Sequence, residues 1–380
     1  NVITFYYKDF KTTKFTINYL DMAGEAIPGK PSAEVYLRVG DTYTVNTANL
    51  TGWVYDHTEA SDGRTATQYL VSEGGELTLN IYYKKMLTLR ALDKQKTYDG
   101  APLYSSGLDD LHVSETNCLA DGHTLTGISY TGSQTDVGFS DTTPHSAVIV
   151  GAPDDYYSIK YVNGVLTVDK AVVTILVEPD KLMGNLYTGE TYTAGVSHPD
   201  KTVDDYVIIN NALYKATYQQ NIFDQIKDVV SISETNAGTY TIDAATVHSY
   251  ITLPVDDNYE VALDTRECLL QILKRQVTLT SATDSKPYDG TPLTNDTVTV
   301  TGDSWATGEG ATYDVTGSQT DAGNSENAFT YELNEGTLLA NYDIMPVPGT
   351  LTVTALTDEV VVTITENSGT ALYDGTEKTV

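Results

Sequence analysis

Three stretches of this chain repeat one another at matched spacing, and that repetition constrains the fold more than any other feature. Lys96-Thr-Tyr-Asp-Gly-Ala-Pro-Leu103 recurs as Lys286-Pro-Tyr-Asp-Gly-Thr-Pro-Leu293, and in shorter form as Leu372-Tyr-Asp-Gly-Thr376. Gly132-Ser-Gln-Thr-Asp-Val-Gly138 matches Gly317-Ser-Gln-Thr-Asp-Ala-Gly323. Each copy closes on a strand-like run, Tyr161-Val-Asn-Gly-Val-Leu-Thr-Val168 or Val347-Pro-Gly-Thr-Leu-Thr-Val353. Asp136 precedes Gly164 by 28 residues, and Asp321 precedes Gly349 by the same 28. Self-similarity of this kind marks a tandem array of one structural unit.

A diverged copy lies between them. It keeps Leu186-Tyr-Thr-Gly189, Thr235-Asn-Ala-Gly238, Asp257-Asn-Tyr259 and Cys268 to Ile272, with an insertion expected around Asp205 to Lys227. Ile222, Ile226 and Val229 share a helical face there, which predicts a short helix over Asn221 to Val229. A different repeat opens the chain: Ile3-Thr-Phe-Tyr-Tyr-Lys8 returns as Leu79-Asn-Ile-Tyr-Tyr-Lys84. The expected division is therefore 1–10, the last strand of a preceding repeat; 11–86; 87–170; 171–275; 276–356; and 357–380, the start of a further repeat. The joins have no Gly/Ser or Pro-rich stretch, so little slack is expected between neighbours.

Short alternating runs separated by Gly, Asp, Asn and Pro turns read as an all-β chain of small sandwiches or barrels. In the first full module, Phe15–Tyr19, Val35–Val39, Tyr43–Val45, Gly52–Tyr55 and Leu77–Tyr83 make five expected strands. Ile17-Asn-Tyr-Leu-Asp21 with Gly24, Val39-Gly-Asp-Thr-Tyr43, Gly52-Trp53 and Ile81-Tyr-Tyr-Lys84 resemble the mucin-binding-protein (MucBP) repeat of Gram-positive surface proteins. The resemblance covers about a fifth of the chain and implies a β-grasp-like fold; Trp53 stands where that family often has another aromatic. The Tyr-Asp-Gly-x-Pro-Leu, Thr-Asp-x-Gly and Asn-Tyr…Gly-x-Leu-Thr-Val series resembles the YDG and MBG-type repeats of bacterial surface proteins, which implies Ig-like β-sandwiches in an elongated array.

Charge and composition narrow the function classes. Against 22 Lys plus Arg stand 52 Asp plus Glu, a net charge of -30. That field has the wrong sign for nucleic acid or for an anionic membrane surface, and it favours solubility. No apolar run approaches the roughly 20 residues of a membrane span. Cys118 and Cys268 fall in different expected modules, so neither a disulfide framework nor a CxxC metal pattern exists. The six histidines are scattered without ligand spacing.

Catalytic signatures are missing as well: there is no GxSxG elbow, HExxH helix or phosphate-binding Gly-Lys-Ser/Thr loop. The Tyr98-Asp99-Gly100, Tyr288-Asp289-Gly290 and Tyr373-Asp374-Gly375 triplets read as structural turns, with glycine supplying a positive φ. In that reading the Tyr ring covers the end of the sandwich while its hydroxyl reaches backbone. Asp136 and Asp321 are expected to accept bonds from nearby backbone. No cofactor is implied. Acidic pairs such as Asp109-Asp110 and Asp154-Asp155 lack the DxDxDG spacing of a calcium loop, leaving only a loop-end calcium between modules as a metal role.

Exposed aromatics remain as candidate glycan contacts, namely Trp53 with Tyr55 beside Asp56, His57 and Glu59, and Trp305. Because Gly52-Trp53-Val-Tyr55 alternates like a strand, the same face serves equally as core. The expected function is a non-enzymatic stalk or adhesin segment on the bacterial surface or cell wall. It would project a distal binding region, contact mucin or other host glycans, and form part of a longer repeat array. The alternative is a set of carbohydrate-binding or spacer modules attached to an extracellular glycan-active enzyme.

Overall fold

Residues 2–4, 10–357, 362–365, 369–370 and 373–377 are described by a computed structural model. The chain is all-β: 49% of residues lie in strands and 9% in helices, distributed over many small sheets. The expected 1–10 strand and 357–380 repeat start lie partly outside the described residues. Two compact units divide the chain. One comprises Asn1–Thr174, Ile209–Thr217 and Pro254–Ala262; the other comprises Ile175–Ile208, Tyr218–Leu253 and Leu263–Val380.

The first unit begins with six strands: β1 (Thr12–Asp21), β2 (Ala33–Arg38), β3 (Thr42–Thr44), β4 (Trp53–Ala60), β5 (Gln68–Leu70) and β6 (Leu77–Ala91). β6 lies between parallel β1 and antiparallel β4, and β2 pairs antiparallel with the far side of β1. Strict alternation makes this face: Thr13, Phe15 and Ile17 of β1 are buried, as are Leu79, Ile81 and Tyr83 of β6. The β3–β5 pair was only half legible, because β5 lies in a polar run. Its Tyr69 nevertheless enters the core with Val45 and Val71.

β6 does not stop at residue 86, where the repeats place a join. Its alternation continues in phase through Leu87, Leu89 and Ala91, all fully buried. Its first half serves the core just described. Its second half pairs parallel with β11 (Tyr157–Val162) and antiparallel with β8 (Leu111–Val113), where Leu87 and Leu89 pack with Leu125, Ile149 and Ile159. The second sheet of this copy runs β7 (Lys94–Thr97), β12 (Gly164–Asp169), β10 (Gly138–Val150), β9 (Thr124–Thr131).

One strand plan recurs in all three copies. β7 pairs parallel with the closing strand β12, which pairs antiparallel with β10. In the second unit Lys181–Leu186, Cys268–Leu273 and Gly238–Ile242 do the same, and so do Asp284–Pro287, Gly349–Thr354 and Gly323–Asn327. Where Gly164 opens β12, an added Cβ would lie 2.6 Å from the Leu92 carbonyl oxygen. At Gly349 the same atom would lie 2.4 Å from those of Ser281 and Ala282. Only glycine lets the closing strand approach the backbone just before its parallel partner this closely.

Three helices interrupt the β pattern of the diverged copy: α1 (Val203–Tyr206), α2 (Ala212–Ile226) and α3 (Ala244–Ser249). The helix expected over Asn221 to Val229 begins nine residues earlier and ends at Ile226. Asn211 sets the start by accepting from the Leu213 and Tyr214 amides at 3.1 and 3.0 Å, as an N-cap does. Val229 is 44% exposed beyond the helix end, and Val230 is buried instead, continuing the four-residue spacing of Ile222 and Ile226.

Candidate functional site

Trp53 opens β4 and lies opposite Lys85 on β6. It is a strand residue rather than a loop tip. Its indole is half-buried, packs against the core of the first module, and meets Tyr156 edge-on at 6.4 Å between ring centroids. The Lys85 ammonium lies 5.1 Å from the indole centroid, within cation–π range. A cleft of about 370 Å³ opens beside this group, lined by Asp21, Trp53, Lys85, Asp121 and Tyr156.

Tyr55 does not share that cleft. Its ring packs edge-on against buried Tyr83 at 6.0 Å, and its hydroxyl meets Thr58 Oγ1 at 3.2 Å. A bulge between Tyr55 and His57 then re-aims the strand. His57 lies flat on Tyr82, with ring centroids 4.6 Å apart, while its Nδ1 sits 2.7 Å from Asp56 Oδ2. Burial opposes the Asp56 charge, but Lys84 and His57 outweigh it and hold its pKa below the usual carboxylate value. The expected loop cluster is therefore two separate groups on one strand.

Residues missed in the sequence complete the cleft. Asp21, which ends β1, is 9% exposed; its Oδ1 accepts from the Ala23 and Glu25 amides, each at 2.9 Å. Its Oδ2 accepts from the Tyr156 hydroxyl at 2.9 Å. Burial, with the Asp21 carboxylate behind it, pushes the Tyr156 pKa well above its ordinary value. Lys84 bridges Asp56 and Asp155. The last residue of the Leu-Asp motif and the last of the Tyr-Tyr-Lys motif thus both bond to the Asp155-Tyr156 corner.

Trp305 sits in the second unit. Its Nε1 donates to the Tyr313 hydroxyl at 3.2 Å, and its ring meets Tyr342 at 4.8 Å. It is an anchor among aromatics and not an open platform.

The Tyr-Asp-Gly triplets form matching turns, with Gly100, Gly290 and Gly375 at φ 79°, 78° and 77°. Asp99 and Asp289 each accept the amide two residues on at 2.9 Å, and Asp374 does so at 3.1 Å. Lys96 bonds back to Asp99, and Lys286 to Asp289, which holds both carboxyls below their ordinary pKa. The tyrosine contacts differ from expectation. The Tyr98 ring packs on Tyr259 at 5.3 Å. The diverged Tyr187 packs on Tyr342 at 5.7 Å, and its hydroxyl donates to the Glu309 carboxylate rather than to backbone. Asp136 likewise accepts from the Asn258 side chain at 3.1 Å and not from nearby backbone.

Among the described residues no group of three or more His, Cys, Asp or Glu is placed to hold a metal ion. Cys118 and Cys268 are free thiols, and burial pushes Cys268 up to about 11.

With this geometry in view, comparison with known families matches the MucBP domain model to residues 14–84. That range contains β1 to the middle of β6, including Asp21, Trp53 and Lys84. MucBP domains are binding modules of extracellular surface proteins, not catalytic ones. A search of curated proteins finds no match for the chain. No helix among the described residues is long and apolar enough to cross a membrane.

Proposed function

We propose that this chain is a non-enzymatic segment of a Gram-positive surface adhesin. In this reading residues 11–86 are the glycan-contacting module. The copies at 87–170, 171–275 and 276–356 are YDG/MBG-type spacers that carry a distal binding region away from the cell wall. The observation that supports it most directly is the MucBP match, because it falls on the module whose rim combines an aromatic face with charged groups. Trp53, Lys85 and Asp121 offer a sugar a stacking surface, a donor and an acceptor. Tyr156 already covers one edge of the indole, so the face left for a ligand is small. A single such site binds weakly, and adhesion then depends on many copies acting together.

Titration of the full chain with mucin O-glycan oligosaccharides, followed by the Trp53 indole resonance, tests the binding half. The expected result is saturable movement with a Kd on the order of 1 mM, worth about 4 kcal/mol. Trp53→Phe should weaken it while keeping most of the packing. An indole signal that stays put at several times that concentration removes the glycan role. Immunogold labelling of the source bacterium tests the other half: label confined to the cytoplasm removes the surface role.

A further inference from the structure

The motifs that define the repeats meet one another across successive copies. In the first unit, Asn258 Oδ1 accepts from the Val137 amide at 2.8 Å, and Asn258 Nδ2 donates to Asp136 Oδ1 at 3.1 Å. Its neighbour Tyr259 stacks edge-on against Tyr98. In the second unit, Asn341 Oδ1 accepts from the Ala237 amide at 2.8 Å, and Asn341 Nδ2 donates to Asn236 Oδ1 at 3.1 Å. Its neighbour Tyr342 stacks edge-on against Tyr187. The two arrangements correspond atom for atom. In each, the Asn-Tyr pair of one copy is seated on the Tyr turn and the Thr-Asp/Asn-x-Gly loop of the copy before it. A third corner, Asp155-Tyr156, is seated on Asp21 and Trp53 of the first module.

The last copy carries the same receiving groups, and among the described residues nothing is seated on them. Its Tyr turn is held identically, since the Tyr98, Tyr187 and Tyr288 amides all donate to the end of their own closing strand, at 2.8, 2.9 and 2.9 Å. Gln319 braces the loop through the Asp321 carbonyl at 2.6 Å, as Gln134 braces that of Asp136 at 2.7 Å. Yet Tyr288 is 38% exposed whereas Tyr187 is 4% exposed, and Ala322 is exposed where Val137 and Ala237 are half-buried. Among the described residues the Ala322 amide meets no acceptor.

We propose that Tyr288, Asp321 and Ala322 form a docking socket whose occupant is the Asn-Tyr corner of a further repeat of the same kind. The incoming asparagine would accept from the Ala322 amide and donate to Asp321, and the incoming tyrosine would cover Tyr288. The occupant is fixed by complementarity already displayed twice in this chain, and by Tyr373-Asp374-Gly375, which opens another copy after the last closing strand. The contact is of one side chain and one ring, so it depends on tethering for its effective concentration.

The test is a chain in which residues 1–355 are followed by a second copy of residues 275–356, compared with the present chain by amide hydrogen exchange. Exchange at Ala322 should slow about tenfold or more, toward that of Val137 and Ala237. Asn341→Ala in the added copy alone should restore the fast rate at Ala322 and leave Ala237 protected. Unchanged exchange at Ala322, with the core amides of the added copy protected, overturns the proposal. An independent measurement needs no added copy: Asn258→Ala and Asn341→Ala in the present chain should speed exchange at Val137 and Ala237 respectively. Unaltered protection there overturns the proposal as well.

Discussion

At the scale of single residues, buried polar groups rather than exposed aromatics distinguish this chain. Asn341 is fully buried, and both ends of its amide are bonded. Removing a buried partner leaves the others unsatisfied, so Asn341→Ala should cost about 1–3 kcal/mol, read from urea unfolding. Exposed Asn163→Ala should cost far less. Glu309 receives two tyrosine hydroxyls, from Tyr187 and from Tyr342, the latter at 2.7 Å. Burial raises the Tyr342 pKa most, and the Glu309 carboxylate raises it further. Glu309→Gln should therefore bring the Tyr342 titration down toward its ordinary value without removing the part due to burial, as followed by ultraviolet absorbance. Trp53 was read from sequence as either platform or core, and the half-buried indole is mostly the second. Trp53→Ala should accordingly destabilise the first module by about 2 kcal/mol, below the cost of a fully enclosed tryptophan.

At the scale of elements, strands were legible where alternation was strong and misread where it was weak. β1 and most of β6 follow from their odd-even pattern, since alternate residues are buried and mostly apolar, and β2 follows from half-buried Val35 and Leu37 alternating with exposed polar neighbours. β5 escaped notice because Gln68-Tyr-Leu70 offers only one buried side chain, and a single residue has no period. α2 was misplaced because two of its inward or half-inward positions are Tyr214 and Tyr218, which the apolar count left out. The candidate site fared less well. Trp53 was singled out, but Asp21 and Tyr156 lie 135 residues apart in sequence and meet only after folding. The recurrence of Asp155-Tyr156, Asn258-Tyr259 and Asn341-Tyr342 was the available signal. Backbone contact explains the glycine of Gly-x-Leu-Thr-Val. Gly349→Ala would set a methyl against the Ser281 and Ala282 carbonyls and should destabilise the last copy by about 1–3 kcal/mol or more, measured by differential unfolding of its core amides.

At the scale of the whole molecule, 28 tyrosines against six phenylalanines couple stability to alkaline pH. Burial raises Tyr83 up to about 12, and Tyr156 and Tyr342 are raised too. A hydroxyl that keeps its proton longer when folded gives stability that is fully present below the unfolded value of about 10. That stability is lost as pH climbs through the folded value, so a urea midpoint should fall from about pH 10 upward. Asp99 and Asp289, depressed by Lys96 and Lys286, have the opposite sign. Their contribution is present above the unfolded carboxylate value and disappears as pH drops below about 4. A net charge of -30 also repels itself, so the melting temperature should rise on going from 10 to 150 mM sodium chloride, as the Debye length shrinks to about 8 Å.

The seating of each Asn-Tyr corner on the preceding copy bears on how such a gene changes length. The inserting Asn-Tyr corner and the loop that receives it are different surfaces, so each such contact is head-to-tail. Unequal recombination that deletes the middle copy, or adds a copy after it, leaves each seated asparagine facing an equivalent amide and an equivalent acceptor. Loss of the diverged middle copy, for example, would present Asn341 to Asp136 and Val137 in place of Asn236 and Ala237. Loss of only part of a copy would instead strand one partner of a pair. Selection on a buried amide therefore favours length variants in whole-copy steps, counted from one Tyr turn to the next.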